Sequence, residues 1–193
     1  HIIIEGRKVA VQAWEYLVKG VKDFKVPVYF LDTSLPENAP QDQQITDYLY
    51  GGDRKYRLKQ EAILGIAGIR MIEALGYNQI RKFHMNEGHA ALLTLELIRQ
   101  AKSAKGKIYD HEAVKKKCVF TTHTPVPAGH DMFEKADVES ILGEHLDPEI
   151  MPDLYVDNKL NMTLLALKNS HYINGGALRH REVSRAMFPG YPI

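Results

Sequence analysis

Three polar clusters in this 193-residue chain could do chemistry, and each directly follows an apolar run. The first is His84-Met85-Asn86-Glu87-Gly88-His89. Asn86 suits the N-cap of a following helix. Gly88 would let a ligand approach that helix's first turn, where free backbone amides attract anions and hydroxyl oxygens. Glu87 and His89 would stand beside it. The second cluster runs Thr121-Thr122-His123-Thr124-Pro125-Val126-Pro127-Ala128-Gly129-His130. Two prolines and a glycine stiffen a loop after a buried strand, a place where functional groups are often presented. The third is Asn174-Gly175-Gly176, before a helix carrying Arg179, His180 and Arg181. Two glycines at a helix start suit the approach of phosphate or sugar, although such a pair alone is weak evidence. Each cluster also has a plain structural reading, in which Asn86 only caps, His89 only covers a helix end and His123 is a hydrogen-bonded core histidine.

Other chemistries find less support. His84, Glu87, His89, His123 and His130 could gather around a metal. However, the spacing H-x-x-E-x-H is neither of the helical ligand spacings H-E-x-x-H and H-x-x-E-H, so a metal, and with it a metal hydrolase, is not favoured. No G-x-S-x-G elbow, Walker phosphate loop or G-x-G-x-x-G turn occurs. Cys118 sits in an apolar run, where a thiolate would be costly.

The elements needed to position these clusters follow from periodicity. Ile2–Ile4 and residues 9–16 read as an antiparallel pair, with Glu5-Gly6 suited to a hairpin turn. Ile4-Glu5-Gly6-Arg7 also reads like a protease-cleavage linker. Residues 26–31 form a short apolar strand, 36–42 a loop, and 43–50 a helix interrupted by Gly51-Gly52. The stretch 54–75 predicts one long helix with Leu58, Ala62, Ile66 and Ile69 as its buried stripe and Gly76 as its C-cap. Strands over 80–85, 117–121 and 170–173 then alternate with helices over 87–100, 111–116, 137–146, 161–169 and 177–187. That alternation predicts an α/β, Rossmann-like parallel sheet with helices on both faces. Its ligands would bind at the carboxyl ends of the strands.

Composition narrows the function. Twenty-five basic and 24 acidic residues leave a formal charge of +1, which argues against a nucleic-acid binder. Residues 101–117 are locally basic and 131–153 locally acidic, a pattern best read as solvated helical faces. No apolar run approaches the ~20 residues of a membrane span. A single cysteine excludes an internal disulfide framework and fits a reducing, cytoplasmic compartment. One domain spanning 1–193 is expected. The first residue, His1, and the apolar end at Ile193 read as cuts from something longer.

Four stretches together resemble the α-glucan phosphorylases, the glycogen, starch and maltodextrin phosphorylase family, in its shorter prokaryotic form. They are residues 47–61 (DYLYGGDRKYRLKQE), 83–92 (FHMNEGHAAL), 119–131 (VFTTHTPVPAGHD) and Ser170 to Pro189. The resemblance implies the GT-B fold, with this chain as a truncated part of its N-terminal domain and the C-terminal, cofactor-binding domain absent. It implies phosphorolysis of α-1,4-glucan or maltodextrin to glucose 1-phosphate, with pyridoxal phosphate as cofactor and a homo-oligomeric intact enzyme. By this resemblance His123 is the catalytic residue at the reacting glucose, which it positions partly through its main-chain carbonyl. Asn86, Glu87, His89, Thr122 and Asp53 bind substrate, and Gly51 and Gly52 belong to a gating loop. The lysine that would hold the cofactor is not among the matching residues, so the chain alone is expected to be inactive and to bind no cofactor. The run 174–181 departs from the family pattern at Gly176, a residue expected to loosen the helix start by up to about 1 kcal/mol. No role is assigned to Arg179 or His180. A starch- or glycogen-synthase-like transferase and a non-catalytic sugar-binding module are the alternatives.

Overall fold

The computed structural model describes residues 1–49, 51–101, 109–124, 126, 129–150 and 153–193, with backbone alone at 178–180. Ile2–Ile4 (β1) and Arg7–Val9 (β2) form a tight antiparallel hairpin. Its turn is Glu5-Gly6, both with positive φ (50° and 71°), the geometry that matches strand twist. The expected turn is therefore present, but it pairs β1 with 7–9 rather than with 9–16, because a two-residue turn brings Ile4 opposite Arg7. Gln12–Lys19 (β3) pairs instead with Lys25–Asp32 (β4) in a long antiparallel ribbon. The ribbon is largely solvent-exposed, with Trp14 at 61%, Phe24 at 70% and Val21, at its tip, at 88%.

The expected helix over 43–50 is not there. Pro40–Gln43 (α1) is helical instead, within the expected loop, and turns follow it; Tyr50 lies outside the described residues. Pro40 is preset for a first helical turn. Asn38 ties this segment down by donating to Ala10 O and Thr33 O, while Gln43 donates to Asn38 O. Such side-chain bonds compete with a continuing helix.

The expected helix over 54–75 is present but not uniform. Arg54–Ala62 (α2) and Gly68–Ala74 (α3) flank a π-helical turn at Ile63–Ala67. Leu58, Ala62, Ile66 and Ile69 are all buried, as the stripe required. Gly76, at φ 90°, takes the left-handed position after the last turn. Gly65 explains how the π turn packs. A Cβ there would lie 2.6 Å from the backbone nitrogen of Leu93 and 2.9 Å from the carbonyl carbon of Leu92, so only glycine permits this approach.

Phe83–Asn86 (β5), Cys118–Thr122 (β6) and Tyr172–Gly175 (β9) form the parallel sheet, in the order β5-β6-β9. Leu93–Gln100 (α4) and His111–Lys117 (α5) connect β5 to β6. The β6–β9 crossover holds Met132–Glu134 (β7), Lys135–Leu142 (α6), Lys159–Asn161 (β8) and Met162–Lys168 (α7). Leu178–Met187 (α8) follows β9. The antiparallel β7–β8 pair was not expected, since three-residue strands leave little periodic signal. Glu96 of α4 is buried, which alone would raise its carboxyl. Hydrogen bonds from Arg99 and Arg70 outweigh that and hold it down at about 2.

Helices flank the sheet, but among the described residues its two faces are covered unequally. One face buries Met85, Phe120 and Ile173 in the core. On the other, His84 and Asn86 are exposed and Tyr172 is 58% exposed. Phe83–Asn86, and Tyr172 with Ile173, alternate exposed and buried residues, the pattern of a half-covered face, whereas β6 is buried nearly throughout.

Gly65→Ala should lose about 1–3 kcal/mol of stability through overpacking against backbone, measured by urea unfolding followed by far-ultraviolet circular dichroism. An unchanged midpoint would show that α4 can move aside.

Candidate functional site

The site forms where the three parallel strands end. After Asn86 the chain turns at Glu87, whose φ of 72° and ψ of 168° lie in a region essentially reserved for glycine. A conformation of that kind costs about 1–3 kcal/mol and persists only where the surroundings impose it. Here they do. The Glu87 amide donates to Thr121 O at 2.9 Å. Its carboxylate Oε1 accepts from the backbone N–H of His123 and, at 3.1 Å, from the Thr124 hydroxyl. One carboxylate thus holds the backbone amide of His123, whose side chain is exposed, and the side-chain hydroxyl of Thr124.

The β9 end closes the third side. Gly176 donates to Thr122 O at 2.8 Å, and a Cβ on Gly176 would overlap the His123 ring. This corrects the expectation for Gly176. The glycine does not loosen a helix start, since α8 begins two residues later; it makes room for the imidazole. Gly175 likewise allows the close approach of the Arg181 backbone.

A polar ladder crosses the open face of the sheet below this rim. Thr121 Oγ1 donates to Asn174 Oδ1 at 2.7 Å, and His84 Nε2 lies 2.7 Å from the same hydroxyl.

His89 sits half-buried in a 3₁₀ turn, Gly88–Ala90. Burial and then Arg57 lower its pKa, outweighing Asp131 and Glu87, which raise it. The ring is therefore neutral at pH 7. It lines the polar end of a groove of about 770 Å³ together with Arg57, Glu61 and His84; the rest of the groove is walled by residues such as Ile63, Leu64 and Phe30.

Two expectations for the 84–89 cluster change. Asn86 is the last residue of β5 and caps no helix, since the turn begins at Glu87. Gly88 is not open to a ligand. It is buried against the start of α7, where a Cβ would lie 3.0 Å from Thr163 N.

The other sequence-derived residues fall as follows. Thr122 is buried, and its hydroxyl has no hydrogen-bond partner among the described residues. Asp53 caps α2, accepting from Tyr56 N at 2.9 Å. Gly52, at φ 73°, packs on the Tyr56 ring and Gly51 on Tyr48. Among the described residues no hydrogen bond joins 51–53 to the rim. Pro125, Pro127 and Ala128 lie outside the described residues, as do the side chains of Arg179 and His180. Sequence reasoning gave no role to Thr121, Asn174, Arg57 or Asp131. Thr121 and Asn174 were legible in principle, since paired register puts them side by side on one face.

No group of three or more His, Cys, Asp or Glu side chains among the described residues could hold a metal ion. His130 is buried and pairs through Nδ1 with Thr163 Oγ1. Nor do the rim residues fit pyridoxal phosphate, which needs a lysine amine. Lys82, the lysine nearest β5 in sequence, bonds Lys116 O and His171 at the opposite end of the sheet. Burial pushes the Cys118 thiol up to about 11, leaving it unreactive.

No protein-family profile matches the chain. It is 37% identical over 191 residues to maltodextrin phosphorylase of Thermococcus litoralis, covering 96% of this chain and 22% of that protein. Against glycogen phosphorylase of Mycobacterium tuberculosis it is 39% identical over 186 residues, covering 85% and 21%. Against glycogen phosphorylase of Aquifex aeolicus it is 30% identical over 206 residues, covering 97% and 28%. The chain thus spans about a fifth to a quarter of the length of these curated relatives.

Glu87→Ala should free the His123 amide. A hydrogen bond to a charged group contributes about 1.5–3 kcal/mol, so hydrogen exchange at His123 should quicken at least tenfold. The amides of β6 should keep their protection. Unchanged exchange at His123 would show that the carboxylate does not hold this turn.

Proposed function

We propose that this chain, a homologue of segments of the maltodextrin and glycogen phosphorylases, forms one wall of the saccharide site of an α-glucan phosphorylase. In this reading it is part of the N-terminal domain of a GT-B enzyme, and the missing C-terminal domain supplies the facing wall. The longer protein would release terminal glucose from α-1,4-glucan with phosphate, as glucose 1-phosphate. It would work in the cytoplasm as a homo-oligomer.

The observation that carries the reading is the grip of Glu87 on His123. A main-chain carbonyl can favour positive charge developing on a sugar ring only if it is already aimed there. The Glu87 carboxylate fixes the backbone at His123 and the hydroxyl of Thr124, and Gly176 sets the ring position. His123 therefore meets its substrate preorganised. Exposed Asn86 and neutral His89 would offer hydrogen bonds to sugar hydroxyls on either side of Glu87. Thr122 would act from behind the rim, through the backbone. Gly51, Gly52 and Asp53, at the start of α2, would form the gating loop.

Pyridoxal phosphate would supply a phosphate group for proton transfer, held by residues outside this chain. Glucose, phosphate and cofactor must be held together for reaction, and one wall cannot do that. Mixed with maltodextrin, phosphate and pyridoxal phosphate, the 193-residue chain should yield no glucose 1-phosphate; measurable turnover would contradict this. The function itself is tested by exchanging the matching segment of the Thermococcus litoralis enzyme for this chain. The chimera should form glucose 1-phosphate, and Glu87→Ala within it, which releases the His123 backbone, should lower kcat about 10²–10³-fold, the usual scale for losing one preorganised polar group. A folded chimera without activity, or one indifferent to Glu87→Ala, would refute the assignment.

A further inference from the structure

Behind the His89 turn, two carboxyl groups face one cation. Glu61, on the inner side of α2, is 1% exposed. Asp131 lies in the turn before β7, with its side chain only partly exposed. Arg57, one helical turn before Glu61, places Nε 2.9 Å from Glu61 Oε1 and Nη2 3.2 Å from Asp131 Oδ2. The approach of Arg57 to Glu61 is close but poorly aligned, and Asp131 also lies within hydrogen-bond reach of the Glu61 carboxyl, a contact that two carboxyls can make only if one of them carries a proton. Were both acids ionised, two adjacent anions, one of them out of water, would share a single guanidinium. A buried charge without full compensation instead takes up its proton.

We propose that Glu61 is a positioning residue that works as a neutral, protonated acid, bracketing Arg57 together with Asp131 behind His89 and so fixing the charge and shape of this wall. The importance of the wall rests on the saccharide-site reading above; the bracket itself does not.

The surroundings of Glu61 support a neutral acid. Burial and then the Asp131 charge push its carboxyl up to about 9, against the lowering influence of Arg57. The charged groups facing it are Arg57 from its own helix and Asp131 from the turn before β7. His89 and Glu87, from the turn after β5, face the Arg57–Asp131 side. Helix α6 also packs on α2, but its Asp137 pairs with Lys55. The π-helical turn at 63–67 carries no charge. With Glu61 protonated, Arg57 is the cation that faces the Asp131 and Glu87 carboxylates beside a neutral His89 imidazole. Loss of that proton would add a negative charge and favour protonation of His89, changing what the wall offers a ligand.

The sign of the pH dependence follows. Folded Glu61 holds its proton more tightly than the unfolded chain does, so stability falls as pH rises from about 4.5 towards 9. His89, His130 and His145 have lowered values. They therefore act in the opposite direction, and their effect is complete just above 6.5. The window from pH 7 to 9 separates Glu61 from the histidines; the N-terminal amine and Cys118, whose raised thiol acts in the same direction as Glu61, also titrate there but are shared by both proteins compared below.

The test combines carbon-13 NMR titration of the Glu61 carboxyl, NMR of the His89 ring and melting curves from pH 5 to 9, on the wild-type chain and Glu61→Gln. The Glu61 carboxyl should titrate above pH 7, and the His89 signals should move with it in the wild type but not in Glu61→Gln. The variant should also flatten the fall in Tm between pH 7 and 9. A Glu61 titration near 4.5, an unaltered slope, or a His89 response indifferent to Glu61 would overturn the proposal. If Glu61→Gln fails to fold, the wild-type titration and its displacement to lower pH by Asp131→Asn decide the matter. Failure of the chimera's phosphorolysis would leave the titration untouched, so the two readings fail separately.

Discussion

The rim depends on one carboxylate at the end of one strand reaching across to the backbone of the next. Glu87 adopts a main-chain conformation that disfavours any side chain, yet its side chain makes the contacts that hold His123 and Thr124. Glycine would relax the backbone but could not supply the oxygen, so the strain and the contact come as a pair. The parallel register makes the pairing possible, because Asn86 lies opposite Thr121 and the residues just beyond them must meet. The third strand then needs Gly176, since anything larger would displace the imidazole.

Much of this arrangement was legible in the sequence. The strand–helix alternation gave the parallel strands and the end of the sheet at which polar residues gather. The His89 and His123 turns do adjoin, joined through Glu87. The buried stripe of 54–75 was readable too, but the π turn within it was not, because it arises where Gly65 meets the Leu92–Leu93 backbone, and such contacts leave no periodic mark. For the same reason Gly88, Gly175 and Gly176 could be seen as places of close approach, but not what approached them. Protein backbone or side chain fills the space that a ligand was expected to use. The half-open sheet was missed because β6 alone reads as buried, while its neighbours carry the alternation that exposes one face.

The relatives and the geometry support different parts of the account. The relatives contribute similarity over nearly the whole chain, which spans about a fifth to just over a quarter of the length of these phosphorylases. The structure supplies a braced rim, with His89 held neutral by burial and His123 fixed through its backbone amide. Charge is concentrated behind that rim, on Arg57, Asp131 and Glu87, where it braces rather than touches.

The exposed β3–β4 ribbon bears on every spectroscopic study of the chain. Its one tryptophan, Trp14, lies on that arm, with the indole N–H bonded to Asp32 at 2.9 Å and most of the ring in solvent. Intrinsic tryptophan emission will therefore report collisions, docking or clustering of the arm, and will be nearly blind to melting of the sheet beneath it.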